Sequence, residues 1–402
     1  MSAMPLAKES RRIGGRAPLG NFELEAQDGA ARAGTFHLAH GSVRTPAFMP
    51  VGTQATVKGV TPEELEELGT GIILANAYHL YLRPGHELVR SRGGLHRFMG
   101  WDGPILTDSG GYQVFSLAAI NKVSDEGVWF QSHIDGSRHF ITPELMIDVQ
   151  HALGADVIMA FDECLPGAAD LEATTRAVRR TQRWLERSLG RFDELANAAE
   201  EAAKQVLLPV IQGGTDLDLR LESLAGARSL GDWSGFGIGG LSVGEPKGRT
   251  FEILEALEPE LPPGGVRYLM GVGYPADLLE AVRLGHDLFD CVAPTRNGRN
   301  GSAFTSSGQV NVKVAAWRDD ESSIEPDCAC YACKRFSRSY VRHLFVTGEL
   351  LGLRLVSIHN LYFLTDLMRQ ARAAIRTGSF GAFASDWLAR YRSTKKRGFE
   401  NC

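Results

Sequence analysis

Short apolar runs, each closed by a glycine or polar residue and followed by a helical stretch, recur down most of this chain. No other feature constrains its fold as much. The runs are Gly71 to Ala75, Pro104 to Thr107, Val157 to Phe161, Leu207 to Ile211, Gly237 to Gly239, Tyr268 to Met270, and Leu288-Phe289. They do not alternate apolar with polar, so they suit parallel strands buried on both faces. Helical patterns such as Leu171 to Leu189 and Ala276 to Leu284 lie between them. Units of strand then helix repeated over about 250 residues favour an α/β fold of (β/α)8 TIM-barrel type over a doubly wound sheet. Ahead of them, residues 21–50 alternate apolar with polar through Phe22, Leu24, Phe36 and Val43, with breaks at Asp28-Gly29 and Gly41. That pattern predicts an N-terminal antiparallel β meander.

Polar residues stand where such a barrel builds its sites. Asp108, Asp162, Gln212 and Asp290 each follow an apolar run, at the carboxyl end of an expected strand. One Asp in that place is usually a helix N-cap; four polar side chains in the same relative place favour a shared pocket. Asp290 opens the most informative stretch, Asp290-Cys291-Val292-Ala293-Pro294-Thr295-Arg296-Asn297-Gly298-Arg299-Asn300-Gly301. A carboxylate able to act as nucleophile is followed there by a basic, glycine-bearing turn suited to phosphate oxygens.

The chain has 402 residues, enough for one large domain or two ordinary ones. Its formal charge of −5 excludes a polycation that coats nucleic acid indiscriminately, so RNA binding would need a local basic patch. No apolar run reaches the roughly 20 residues of a membrane helix. Residues 1–20 are polar and carry Lys8, Arg11, Arg12 and Arg16 without an apolar segment. They read as a disordered leader and not as a secretory signal. The expected organisation is a catalytic domain over 21–385 that includes a metal-binding subdomain at 315–375, and then a tail at 386–402.

Of the six cysteines, Cys328, Cys330 and Cys333 crowd one short turn. This is a metal pattern and not a disulfide framework, and it places the chain in the cytoplasm. A tetrahedral Zn2+ site needs a fourth ligand from farther along the chain, where His343 and His359 are the candidates. His359, expected to open a helix that folds back on the turn, is the better placed. Four protein ligands leave no open position, so one such zinc per subunit would be structural.

These residues together resemble the tRNA-guanine transglycosylase family, bacterial type. The resemblance rests on Thr107-Asp108-Ser109-Gly110-Gly111-Tyr112-Gln113, Phe161-Asp162-Glu163-Cys164, Gln212-Gly213-Gly214, and Gly239-Gly240-Leu241-Ser242-Val243-Gly244-Glu245. It extends through Met270-Gly271-Val272-Gly273, the stretch from Asp290 to Gly301, and the Cys/His set, in order from about Phe22 to Arg372. It implies an irregular barrel with a zinc-bearing subdomain. It also implies exchange of guanine at the anticodon wobble position of tRNA for the 7-deazaguanine preQ1, on the way to queuosine.

On that resemblance Asp290 is the nucleophile at ribose C1′ and Asp108 the acid/base. Two inversions then give net retention, as in retaining glycosidases. Asp162, Gln212, Gly239, Gly240 and Leu241 would read the edge of the base, and Tyr112 and Met270 would sandwich it. Ordinary core packing is the competing reading for those last two. Cys164 after Asp162-Glu163 resembles the preQ1-inserting type and not the queuine-inserting type. Thr295, Arg296, Asn297, Gly298 and Arg299 would bind the anticodon loop, whose target base must flip out. Lys334, Arg335, Arg338 and Arg342 extend an RNA track or form a solvated helix face. Phe336, Tyr340 and Leu344, expected on one helix, form a contact of the homodimer that the resemblance implies, or pack as core against the barrel. Tyr274 after Gly273 departs from the family pattern.

Two rival functions remain in view. A two-acid glycoside hydrolase would use Trp platforms, and none of these motifs contains Trp. A non-catalytic RNA-binding homologue has no need to keep both Asp108 and Asp290.

Overall fold

The computed structural model describes residues 18–117, 121–198 and 204–398. Phe22–Asp28 (β1), Ala31–Leu38 (β2) and Gly41–Thr45 (β3) form the expected antiparallel meander. Next come Ala47–Met49 (β4), Ile73–Ala75 (β5) and Ile105–Thr107 (β6). An antiparallel insertion follows: Asn121–Val123 (β7), Val128–Gln131 (β8) and Arg138–Ile141 (β9). Then come Val157–Met159 (β10), Val206–Leu208 (β11), Val210–Ile211 (β12), Gly235–Ile238 (β13), Val266–Leu269 (β14) and Leu288–Asp290 (β15), with helices between most of them. A hairpin, Ser302–Thr305 (β16) and Gly308–Asn311 (β17), precedes the last helices.

Two parallel sheets result, in the orders β11-β10-β6-β5 and β12-β13-β14-β15-β4. Strands β11 and β12 are one run interrupted at Pro209, which has no N–H for the ladder. Backbone hydrogen bonds from Ala160 N to Leu208 O and from Gly237 N to Pro209 O flank that break. At the other edges Leu74 N donates to Pro50 O at 3.0 Å and Gly52 N to Leu74 O at 2.6 Å.

The strands read as unbroken apolar runs because both faces are covered. Leu74, Leu106, Met159, Leu208, Val210, Tyr268 and Leu288 pack into one cluster, which the meander joins through Phe22, Phe36 and Val43. Their neighbours Ile73, Ile105, Ile158, Leu207, Ile211, Leu269 and Phe289 face a second cluster shared with the helices.

Several expectations change. The meander ends at Thr45, because Ala47 to Met49 pair in parallel with Leu288 to Asp290. The stretch after Asp290 is no turn: Ala293–Asn300 is a helix with Pro294 in its first turn and Gly301 closing it at φ +82°. The hairpin β16–β17, ahead of the expected subdomain start at 315, shares a small core with Trp317, Ile324, Val341 and Leu344. Residues 386–398 of the expected tail belong to a helix, Phe380–Gly398, whose Trp387, Leu388 and Tyr391 are buried in the main core, and 399–402 lie outside the described residues. Residues 1–17 of the expected leader lie outside the described residues. Among the described residues no helix is long and apolar enough to cross a membrane.

Candidate functional site

A cavity of about 580 Å³ opens at the carboxyl ends of the strands. Asp108, Tyr112, Asp162, Cys164, Gln212, Gly239, Gly240, Leu241, Met270 and Asp290 all line it. The strand-end pattern therefore gathers its four polar residues into one place.

Asp290 ends β15, and its Oδ1 accepts from the Tyr268 hydroxyl at 2.6 Å and from Gly271 N at 2.8 Å. Its Oδ2 takes no hydrogen bond from another described residue. Burial raises this carboxyl, while the Gly271 and Tyr268 bonds pull it back. Burial also pushes the Tyr268 phenol well above its usual value, so it stays a donor. One carboxylate oxygen is thus held and the other is left for the cavity.

Asp108, just beyond β6, is held at both oxygens. Asn76 Nδ2 and Gln113 Nε2 donate to Oδ2 at 2.5 and 2.8 Å, and Ala77 N donates to Oδ1 at 2.8 Å. Burial lifts its pKa to about 6, helped by the Asp290 charge and opposed by those three bonds. A carboxyl near 6 can carry a proton at neutral pH and also release it. The two acids therefore differ in the way two distinct roles require.

Asp162 accepts from Ser109 Oγ at 2.5 Å and from Gln212 Nε2 at 2.6 Å, and burial raises its pKa. Gly240 stands against Gln212 at φ +64°, where a Cβ would meet Gln212 Oε1 at 2.2 Å. Only glycine brings the backbone that close to the amide. Beneath this wall the fully buried Arg220 donates to Gly214 O at 2.7 Å and to Gly239 O at 3.0 Å, tying two loops together. Burial pushes the thiols of Cys164 and Cys291 up to about 12 and about 11, so neither is a thiolate nucleophile at neutral pH. Tyr112 is 54% exposed at the rim, which excludes core packing, whereas Met270 also packs on the interior cluster.

Thr295 to Arg299 do not line the cavity. Thr295 and Gly298 are buried, and Gly298 presses on Ser357 of helix Leu350–Arg376, where a Cβ would meet Ser357 Cα at 2.7 Å. Arg296 is exposed, and Asn297 and Arg299 are half-buried. Of the basic group, Arg338 is engaged by Asp320 and Ile324 O, and Arg342 by Val314 O. Lys334 and Arg335 stay exposed. Phe336 lies between two helices, Tyr331–Arg335 and Arg338–Thr347, and still stacks on Tyr340 at 5.2 Å. Leu344 is buried. Tyr274 caps helix Pro275–Arg283 and meets Phe304 edge-on, away from the cavity.

Asn76, His79, Gln113 and Tyr268 also line the cavity, without a role in the sequence reading. Asn76 follows the run Gly71 to Ala75, so the signal that found Asp108 also marks it. Tyr268, inside an apolar run, gives no such signal.

Away from the cavity, Cys328, Cys330, Cys333 and His359 converge into a group able to hold a metal ion. The three Sγ atoms lie 3.6, 3.5 and 3.3 Å from His359 Nδ1. His359 Nε2 stands 2.7 Å from Phe304 O, which fixes the proton there and leaves Nδ1 as the ligand atom. His359 sits inside helix Leu350–Arg376, not at its start, and His343 is exposed.

A family model described as queuine tRNA-ribosyltransferase matches residues 27–393. A protein of Pelotomaculum thermopropionicum named queuine tRNA-ribosyltransferase is 54% identical over 361 residues, covering 90% of this chain and 95% of that protein. The protein of that name in Herpetosiphon aurantiacus is 53% identical over 372 residues, 92% of this chain and 93% of its own. In Nitratidesulfovibrio vulgaris the figures are 49% over 372 residues, 92% and 97%.

Proposed function

The chain belongs to the queuine tRNA-ribosyltransferase family, and from that premise we propose that it is a tRNA-guanine transglycosylase, a pentosyltransferase. It exchanges guanine at the wobble position of tRNAs with GUN anticodons for preQ1, in queuosine biosynthesis. One observation carries the mechanism: two carboxyls share a cavity, half-buried Asp290 with one oxygen unengaged and buried Asp108 near its titration point.

Asp290 Oδ2 attacks ribose C1′ and the bond to guanine breaks, giving a covalent ribosyl-aspartate. Asp108 supplies the proton that the departing base needs. PreQ1 then attacks C1′ from the vacated side, Asp108 takes its proton, and Asp290 is released. With no base bound, Gln212 and Asp162 satisfy each other. A flipped guanine or preQ1 replaces that bond with its own N–H donors and carbonyl acceptor, alongside Gly239, Gly240 and Leu241. Tyr112 and Met270 flank its faces, and Cys164 borders the pocket. Arg296, Asn297 and Arg299 hold the anticodon loop, with Thr295 and Gly298 as the packed side of the same helix.

We read the two parallel sheets as one irregular (β/α)8 barrel. The Leu74–Pro50 and Gly52–Leu74 bonds, with the continuity of β11 and β12 across Pro209, support closure. We read the Cys328, Cys330, Cys333 and His359 group as a structural Zn2+ site. Tetrahedral zinc sets sulfur and nitrogen ligands about 3.6 Å apart, and the spacings here are 3.3 to 3.6 Å. Exposed Tyr331 and Tyr340 with Phe336 suit a homodimer contact.

The decisive experiment is trapping of a covalent complex between the zinc-replete protein and tRNA. Asp290→Asn abolishes it; a stable adduct with that variant removes Asp290 as nucleophile. Exchange assays with preQ1 and queuine side by side test the base, and preQ1 is expected to be the better substrate.

A further inference from the structure

We infer that His40, His96 and Asp156 form a second metal site, for a borderline divalent transition ion such as Zn2+, Co2+, Ni2+ or Cu2+, at the amino ends of the strands. His40 lies in the turn between β2 and β3, His96 in helix Gly94–Met99, and Asp156 immediately before β10. Their ligand atoms lie within 4.8 Å of one another. The site is remote from the cavity, because Asp162, which lines the cavity, lies beyond the opposite end of β10.

The Asp156 side chain is fully buried, and two backbone donors fix its orientation: His40 N to Oδ1 and Ile105 N to Oδ2, both at 2.9 Å. Its remaining lone pairs face the imidazoles. His40 Nδ1 is 2.9 Å from Oδ1, and His96 Nε2 is 3.2 Å from Oδ2. That second contact has the length of a hydrogen bond but not its direction: His96 Nε2 is a buried atom without a hydrogen-bond partner.

A shared ion accounts for both spacings. Nitrogen and oxygen ligands at 2.0–2.1 Å from one ion stand about 2.9–3.4 Å apart at octahedral to tetrahedral angles. The two rings are stacked, with centroids 3.6 Å apart and planes 20° from parallel, so one ring must tilt for both in-plane lone pairs to reach the same ion. Two imidazoles and one carboxylate are a donor set for these metals and not for Mg2+ or Ca2+. The His40 side chain is 44% exposed, which gives the ion an entry path and water access to the remaining positions. The bound ion would pin the meander and helix Gly94–Met99 to the start of β10.

The test uses tag-free, zinc-replete protein, with metal content measured by mass spectrometry and the protein then titrated with Cu2+. Wild-type protein is expected to bind one ion beyond the cysteine-held one. Its electron paramagnetic resonance spectrum should show two coupled nitrogens, and no thiolate-to-copper absorption should accompany that equivalent. His96→Ala and His40→Gln should each weaken it at least about tenfold while leaving the cysteine-held zinc in place. His40→Gln replaces a half-exposed side chain and keeps the test valid should His96→Ala fold poorly. A wild-type protein that saturates at one ion, or a second ion bound equally by both variants, overturns the proposal.

Discussion

At the amino ends of the parallel strands, Asp156 and Asp287 are buried against partners that are or can be cationic: His40 and His96 for one, Arg32 at 3.5 Å for the other. At the carboxyl ends Asp108 and Asp162 are buried and Asp290 is half-buried, and none forms an ion pair among the described residues. They are held by neutral donors instead: Asn76, Gln113, Ser109, Gln212, Tyr268 and backbone N–H groups. On the proposed mechanism the same chemical group serves stability at one end and reactivity at the other. Pairing alone does not set the charge: burial lifts Asp287 beside Arg32 to about 6, as it lifts Asp108 among neutral donors, while at Asp156 burial is outweighed by bonds from His96, Ile105 N and His40 that bring it below its usual value.

That contrast is broken most directly by Asp290→Asn, expected to cut base exchange by about 10⁴-fold or more with folding stability little changed. Exchange kinetics and urea denaturation on the same sample read both. Asp108→Asn should cost about a thousandfold. Its pH signature is sharper than its size. Burial raises Asp108 to about 6, so the protonated form needed for guanine departure is lost as pH rises through that value. Adduct formation from guanine-bearing tRNA should fall over that range in the wild type, and Asp108→Asn should lack the inflection.

At the amino ends the signs reverse. Arg32→Met strands Asp287 in the interior and should cost about 3–5 kcal/mol of stability, leaving kcat of the folded protein unchanged. A loss of kcat without a loss of stability would erase the distinction between the ends. The smallest expected effect is Tyr268→Phe, about tenfold in the rate of adduct formation. Losing that donor lets the Asp290 pKa rise further, so the acid limb of the rate profile should move to higher pH.

The strand ends were legible because burial on both faces writes an unbroken apolar run, and the polar residue that stops it faces the cavity. Ala47 to Met49 escaped that logic, being a mere three residues between Pro46 and Pro50. Composition misled after Asp290: Asn297-Gly298 reads as a turn, but contact with Ser357 holds it in a helix. Trp387 and Tyr391 stand one helical turn apart, the spacing of a buried helix face, yet the basic run Lys395-Lys396-Arg397 beside them reads as a tail. Arg220 and Tyr268 left no trace, since an arginine on a helix and a tyrosine in an apolar run look ordinary until their partners are placed.

Within helix Leu350–Arg376, three residues of a single turn serve three neighbours. Ser357 abuts Gly298 of the helix that follows Asp290, and His359 turns to the three cysteines. Asn360 donates to Pro294 O and Ser302 O and accepts from Phe304 N. One rotational phase satisfies all of them. A single residue inserted between Leu350 and Ser357 would turn these side chains by about 100°, detaching His359 from the cysteines and Ser357 from Gly298 in one step. The distant thiol cluster and the backbone that follows Asp290 thus keep time with a single helix, and neither can drift in sequence without the other.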